Sequence, residues 1–369
     1  MKIETAFCVC LLFACSPLAL LAQTTPPKLK QPAQEEPKKQ STVPAPADQK
    51  EAGADDVIKV NTTLINIPVS VMDRGGRFIP NLLRNDFHIY EDGVEQQIAF
   101  FAPVEMPFSV VLLIDTSPST LSRQKEVRDA ANAFISQLRP DDNVMVVTFN
   151  GEIRVLNKLG KNREALHKAI SNIHWNGSGT LLYGTIDVLL NRFFKRLRGR
   201  KALVVLTDGQ DNDPRPSIVA NADETRKRGI TITFSPSCEV IPCITYKSSL
   251  RSVEELDTII YSIEYAAPIE QALKERQKEF PEAIYKAYEL GASYLRQIAE
   301  KTGGRYYKAD EQQNLTQVFT SIADELRYQY SLGYYPLVQP ESGQRKQIKV
   351  RVSQPGLAVR SRTGYIYAP

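Results

Sequence analysis

Oxygen-bearing side chains follow directly after an apolar stretch near residue 115. Val110–Ile114 is a short run rich in β-branched residues, and Asp115, Ser117 and Ser119 come immediately after it. Such a run is typical of a strand that is covered on both faces in a parallel sheet, and open α/β sheets bind ligands beyond the carboxyl ends of such strands. One carboxylate and two hydroxyl groups suit a hard divalent cation, although Asp and Ser also begin turns and cap helices.

Two later segments place similar side chains at the predicted edge of the same sheet. Thr180 follows a glycine-rich stretch and precedes a predicted helix, so its hydroxyl group could equally cap that helix. Asp208 comes just after a second apolar strand, Lys201–Leu206. The glycine-rich stretch lacks the Gly-Lys-Ser/Thr sequence of a phosphate-binding loop. The three segments together therefore offer two carboxylates and three hydroxyl groups to one sheet edge.

The elements that must position these residues alternate between strands and helices. Apolar spacing predicts further strands at 143–149 and 152–156, and helices at 122–139, 162–173, 181–197, 294–301 and 315–327. This order predicts an α/β fold, with a doubly wound, mainly parallel sheet and helices on both faces.

Residues 214–292 are the least regular part of the chain. Either 231–234 is the next strand of the core, or 257–263 is that strand and 214–246 forms an inserted hairpin. We prefer the second interpretation. Residues 266–291 then form a charged helical segment that could cover the edge of the sheet.

The first 57 residues have two distinct compositions. Residues 1–22 combine an early lysine with an apolar run ending in Leu20-Leu21-Ala22, which predicts a secretory signal peptide. A retained membrane anchor and lipoprotein processing at Cys15 are the alternatives. Residues 23–57 are rich in Pro, Gln, Lys and Glu and predict a disordered linker. We expect an exported protein, periplasmic, surface-attached or secreted, without a transmembrane segment in the mature chain.

Because an exported protein meets an oxidising environment, its cysteines are expected to form disulfides. Three of the 5 cysteines lie in the predicted signal peptide, which leaves Cys238 and Cys243. In an oxidising compartment these two predict a small local disulfide. A zinc site would need further Cys or His ligands.

Short predicted strands lie on both sides of the α/β region. Because the two ends of one α/β domain usually lie close together, we expect segments 58–104 and 336–369 to pair into one β module around an α/β domain at 105–335. The net charge of +4 is too small for this length to indicate nucleic-acid binding.

The three polar segments resemble the metal-ion-dependent adhesion site of von Willebrand factor type A domains. The matching motifs are Asp115-x-Ser117-x-Ser119, Thr180 in Gly-Thr-x-Leu-Tyr, and Thr207-Asp208-Gly209. The resemblance covers about residues 105–335. The flanking segments are similar to an exported bacterial family with a related domain, through Asp86-Phe87, Glu91-Asp92-Gly93 and the sequence at 331–336.

The resemblance implies a binding site for Mg²⁺, or for Mn²⁺ or Ca²⁺ in its place. Ser117 and Ser119 would bind the metal directly, and Asp115 would act through water or a hydrogen bond. Thr180 and Asp208 would exchange direct and water-mediated contact. An Asp or Glu carboxylate of a protein partner would complete the coordination. We therefore expect an adhesion or protein-recognition module and not an enzyme.

Two other functions are compatible with the same residues. A metal-dependent envelope hydrolase would need a placed base, and the sequence positions no histidine for that role. The Ser117-Pro118-Ser119 segment also lacks the Gly-x-Ser-x-Gly elbow of serine hydrolases. The third possibility is a structural domain with a vestigial metal site.

Overall fold

A computed structural model describes residues 63–103, 106–175, 179–211, 217–219, 231–235, 244–265, 282–309 and 314–368. The predicted signal peptide 1–22, the linker 23–57 and the predicted disulfide of Cys238 and Cys243 lie outside these residues. Among the helices described, none has both the length and the apolar character that crossing a membrane requires.

Strands and helices alternate through the described chain. The strands are β1 (Ile65–Met72), β2 (Phe87–Glu91), β3 (Val94–Gln96), β4 (Ile98–Ala102), β5 (Phe108–Asp115), β6 (Asn143–Phe149), β7 (Glu152–Gly160), β8 (Arg200–Thr207), β9 (Ser217–Val219), β10 (Thr231–Ser235), β11 (Ile259–Tyr265), β12 (Tyr306–Ala309), β13 (Tyr330–Tyr334), β14 (Arg345–Val352), β15 (Ala358–Ser361) and β16 (Gly364–Ile366). The helices are α1 (Gln124–Gln137), α2 (Arg163–Ser171), α3 (Leu182–Val188), α4 (Tyr246–Glu255), α5 (Glu282–Thr302) and α6 (Leu315–Arg327).

The central sheet of the described chain has eight strands in the order β12-β11-β8-β5-β6-β7-β10-β9. The first five of these strands pair in parallel. The last three continue the sheet through antiparallel pairs. Helices cover both faces, so the predicted doubly wound, mainly parallel α/β fold is confirmed.

Strand β5 lies in the middle of this sheet and shows why the fold is doubly wound. Successive side chains of a strand point to opposite faces. Val110 and Leu112 belong to the core formed with α1, α2 and α6, whereas Val111 and Leu113 belong to the core formed with α3, α4 and α5. All four side chains are fully buried, which explains the unbroken apolar run in the sequence.

The strands at the two ends of the described chain pair with each other. β1 lies between β13 and β15, and β2 lies between β14 and β3, all in antiparallel pairs. The resulting four-stranded sheets, β15-β1-β13-β4 and β16-β14-β2-β3, share one apolar core. We call these two sheets the β module. Strand β13, which the sequence analysis counted with the α/β domain, belongs to the β module by its hydrogen bonds.

The strand order resolves the two interpretations of the irregular region. β11 pairs in parallel with β8, so the preferred assignment of 257–263 as the next core strand is confirmed. β10 instead lies between β7 and the edge strand β9, antiparallel to both. A strand at 231–234 therefore does exist, but it extends the antiparallel edge and does not continue the parallel core.

Two helices differ from their predicted bounds. The predicted helix at 181–197 is regular only to Val188, and it continues as a π turn at Leu189–Phe193 and a 3₁₀ turn at Phe194–Arg196. Leu190 and Phe194 are both buried, so this widened stretch still follows the core. Helix α5 begins well before residue 294 and joins the predicted helix to part of the charged helical segment.

A buried carboxylate connects three strands of the β module. Glu91 of β2 is 5% exposed, and its Oε2 accepts hydrogen bonds from the hydroxyl groups of Tyr334 in β13 and Tyr365 in β16, the latter at 2.8 Å. Burial, followed by the hydrogen bond to Glu91, raises the pKa of Tyr365. The hydroxyl group therefore stays protonated and remains a donor at neutral pH.

Replacement of Tyr365 by phenylalanine should destabilise the protein. The ring would stay in the core, but a hydrogen bond to a charged acceptor, worth about 1.5–3 kcal/mol, would be lost. Chemical denaturation should show this decrease in the free energy of unfolding. Tyr328→Phe is the matched control, because the Tyr328 hydroxyl group makes no hydrogen bond with the described residues and its ring stacks on Phe78. Equal stability of the two variants would contradict the role of Glu91.

Candidate metal centre

The ends of β5 and β8 bring two carboxylates to one edge of the central sheet. The strands are adjacent and parallel, and Ile114 lies opposite Leu206. Asp115 and Asp208 therefore leave the sheet at the same edge. Both side chains are buried, with relative exposures of 0% and 2%.

Asp115 is held by hydrogen bonds to both of its carboxylate oxygens. Its Oδ1 accepts from the Ser117 N–H at 2.8 Å, and its Oδ2 accepts from the Thr207 hydroxyl group at 2.6 Å. The Thr207 hydroxyl oxygen in turn accepts from the Gly209 N–H at 3.1 Å. Through these two hydrogen bonds Asp115 orients the Ser117 backbone and the Thr207 side chain. The sequence pattern did not indicate this positioning role of Thr207, although the residue lies in the Thr207-Asp208-Gly209 motif.

The two serines lie side by side at the start of a 3₁₀ turn, Pro118–Arg123. Their Oγ atoms are 3.1 Å apart, and Ser117 is buried whereas Ser119 is partly exposed. The Thr120 hydroxyl group donates to the Ser117 carbonyl at 2.9 Å and accepts from Trp175 Nε1 at 3.1 Å. Trp175 therefore fixes the turn that presents both serines.

Hydrogen bonds of Leu181 and Tyr183, which follow Thr180 in the chain, hold Thr180 near the loops that carry the other predicted site residues. It is 1% exposed and immediately precedes Leu181, the N-cap residue of α3. The Leu181 N–H donates to the carbonyl of Asn150, which follows β6, at 3.0 Å. The Tyr183 N–H donates to Asp211 Oδ2 at 2.7 Å. The start of α3 is thus tied to the loops after β6 and β8.

The two buried carboxylates lack a positive partner among the described side chains. Burial, and then the neighbouring Asp208, raise the pKa of Asp115 to about 7. Burial also raises the pKa of Asp208, against a hydrogen bond from Ser119. Asp208 Oδ1 accepts from the Gln210 N–H at 3.1 Å, whereas Asp208 Oδ2 is buried and has no hydrogen-bond partner within the described part of the chain. A buried charge of this kind is costly unless something neutralises it.

These donors fit a hard divalent cation. Two carboxylates and three hydroxyl groups are all oxygen ligands of the type that Mg²⁺, Mn²⁺ and Ca²⁺ take. The part of the chain that the structure describes holds no cluster of three or more His, Cys, Asp or Glu side chains at metal-binding spacing. A site that depends on hydroxyl groups does not need such a cluster.

Residues 109–235 match the family model of the von Willebrand factor type A domain. The chain contains a von Willebrand factor type A domain. The match ends at residue 235, but β11 and β12 continue the same sheet. The fold of the von Willebrand factor type A domain therefore extends beyond the matched residues.

Solved structures similar to this chain include three bacterial proteins. An aerotolerance-related membrane protein from Bacteroides fragilis is 14% identical, with a TM-score of 0.40 over 60% of this chain and 98% of that chain. The von Willebrand factor domain of a type V pili tip protein from Porphyromonas gingivalis is 13% identical, with a TM-score of 0.42 over 59% and 94%. A von Willebrand factor type A protein from Catenulispora acidiphila is 14% identical, with a TM-score of 0.41 over 84% and 75%. A comparison with curated proteins gave no match.

Helix α5 packs directly on the loop that carries Asp208. Gly209 has φ +82°, and a Cβ atom on Gly291 would lie 1.8 Å from the Gly209 carbonyl oxygen. From Gly291, α5 runs back along the sheet to Thr302, whose hydroxyl oxygen accepts from the Ile260 N–H at 2.9 Å. Residues 282–290 add about 13 Å of helix before Gly291, since a helix rises 1.5 Å per residue.

Replacement of Gly291 by alanine should destabilise the protein, although alanine is the better helix former. Helix propensity alone would add about 1 kcal/mol of stability, whereas overpacking against Gly209 costs about 1–3 kcal/mol. Thermal or chemical unfolding measures whether the free energy of unfolding rises or falls. Gly160→Ala is the control, because the added Cβ would meet only the Lys158 carbonyl at 3.8 Å. A more stable Gly291→Ala protein would show that α5 does not support the Asp208 loop.

Proposed function

We propose that this von Willebrand factor type A domain recognises a protein partner through a divalent cation. The cation is Mg²⁺, with Mn²⁺ or Ca²⁺ able to take its place, and the proposed site consists of Asp115, Ser117, Ser119, Thr180 and Asp208. The observation that carries the proposal is the buried Asp208 Oδ2, which has no hydrogen-bond partner among the described residues and lies beside a second unneutralised carboxylate.

The charges of this site favour a bridging role for the metal. Both oxygens of Asp115 already accept hydrogen bonds from Ser117 and Thr207, so this carboxylate acts mainly through its neighbours. The hydroxyl ligands are neutral. A cation held in this way keeps part of its charge and can accept a further carboxylate. An Asp or Glu side chain of a protein partner supplies that ligand in our proposal.

Binding is better supported than hydrolysis. Metal-assisted hydrolysis needs a base next to the metal-bound water. Asp211 already accepts a hydrogen bond from the Tyr183 N–H. His88 contacts Glu95 in the β module, and His167 contacts Asn132 of α1. None of these three side chains is therefore placed as a free base at the proposed metal site.

Export is part of the same proposal. The predicted signal peptide at 1–22 would direct the chain out of the cytoplasm, and the linker at 23–57 would hold the domain away from a surface. An adhesion or recognition module then acts in the periplasm, at the cell surface or outside the cell.

Mg²⁺ should raise the melting temperature of the protein, and EDTA should reverse the rise. A ligand that binds only the folded state stabilises it by about 2.7 kcal/mol at a concentration 100 times its Kd. Asp208→Asn should abolish the Mg²⁺ effect. The same change should raise the melting temperature without metal, because it keeps an acceptor for the Gln210 N–H and removes a buried charge. Differential scanning calorimetry measures both effects.

A surface carboxylate serves as the control for this experiment. Asp129 of α1 is exposed and pairs with Lys125 at 2.6 Å, so Asp129→Asn removes the same charge away from the site. This variant should keep the full Mg²⁺ response. A Mg²⁺ response that Asp208→Asn retains would exclude the proposed site.

Partner capture should depend on the metal. With the purified protein immobilised and exposed to envelope extract, a specific partner should bind in Mg²⁺ and elute with EDTA. The Asp208→Asn protein should not retain it, whereas Asp129→Asn should. Replacing acidic residues of the captured partner should then identify one carboxylate that is required. Capture that survives both EDTA and Asp208→Asn would show that the metal is not the bridge.

A further inference from the structure

The outer face of the β module carries two basic side chains on one strand. Along β14, Ile348 and Val350 point into the core, whereas the alternate residues Gln347, Lys349 and Arg351 are exposed. Residues two apart on a strand are about 6.6 Å apart, so Lys349 and Arg351 present neighbouring charges on the same face. This face belongs to the β module and not to the edge of the central sheet where the metal centre lies.

Neither of these two charges has an acidic partner among the described residues. The Arg351 guanidinium lies 5.4 Å from the ring centroid of Tyr90, and this is its one charge-related contact within the described chain. The other charged groups of this region already have partners. Arg345 pairs with Glu254, Lys346 pairs with Asp92, and Glu95 is in hydrogen-bond contact with His88 at 2.8 Å. The unpaired positive charge is therefore concentrated at Lys349 and Arg351.

A surface concavity lies at these two residues. Its volume is about 380 Å³, and its lining includes Tyr90, Gly93, Gln347, Lys349 and Arg351. Small-molecule and cofactor sites in proteins begin at about 300 Å³. Gly93 has φ +87° in the turn between β2 and β3, and its lack of a side chain keeps this rim of the concavity low. A sugar-sized group with a negative charge can therefore sit between the turn and the basic side chains.

We propose that this concavity binds an acidic polysaccharide through the carboxylates of its sugars. The two cations pair with carboxylates, and the Gln347 amide and the Tyr90 hydroxyl group hydrogen-bond sugar hydroxyl groups. Charge complementarity alone would also allow an anionic lipid surface. Val94, next to Gly93, is however the one exposed large apolar side chain among the described residues of β2, β3 and β14, and a single valine is too small to anchor the protein in a bilayer. A soluble acidic glycan fits this face better.

The test is binding of the purified chain to polygalacturonate in EDTA and low salt. EDTA removes any metal that could bridge the glycan to Asp208, so only a metal-independent site is measured. The test variant is Lys349→Gln with Arg351→Gln. The control variant is Lys195→Gln with Arg198→Gln, which removes two exposed positive charges from the α/β domain. Neutral dextran and phosphatidylglycerol vesicles are the comparison ligands.

The wild-type chain should bind polygalacturonate and not dextran, and 0.5 M salt should abolish binding because it screens exposed charges. The test variant should bind about fivefold to tenfold more weakly, as expected for the loss of two surface charge pairs. The control variant should change less than about twofold. Equal weakening of both variants would assign the binding to net charge and overturn the proposal. Binding to the vesicles alone would overturn the glycan assignment.

Discussion

The parallel pairing of β5 with β8 is the constraint on which the proposed metal site depends. It forces the residues after Ile114 and Leu206 to the same edge, and it buries Asp115 and Asp208 together. Two buried like charges oppose folding, so the surrounding loops must hold them in place. The Thr207 hydroxyl group, the backbone of Ser117 and the close contact of Gly209 with α5 do this. The contacts around the site therefore stabilise two buried carboxylates whose charges oppose folding.

The sequence predicted the parts of this arrangement that depend on local pattern. The apolar run before Asp115 predicted a buried strand, because burial on both faces leaves a continuous signal, and the polar residues after it predicted where that strand ends. The packing of Gly209 against Gly291 left no such signal, since the two residues are far apart in the chain and meet only through the fold. The same is true of the Asn150 carbonyl that binds the Leu181 N–H.

Strand order was harder to predict than strand position. Both 231–234 and 257–263 carry apolar, β-branched residues, and each overlaps a strand, β10 and β11 respectively. Their places in the sheet depend on which neighbouring strand has a free edge, and composition does not encode that directly. The π turn at Leu189–Phe193 shows a similar limit, because the apolar spacing of a helix continues through it while its hydrogen bonding changes.

The pairing between the chain ends also sets an order of assembly. Synthesis produces β1–β4 first, but Val69 must pair with Ser361 and Ile89 with Val350. All described strands and helices of the α/β domain are complete by residue 327, so this domain can fold while β1 and β2 still lack their partners β15 and β14. Contacts between such distant residues form slowly and leave apolar strand faces exposed in the meantime. The formation of β14 and β15 therefore determines when β1 and β2 stop being prone to aggregation.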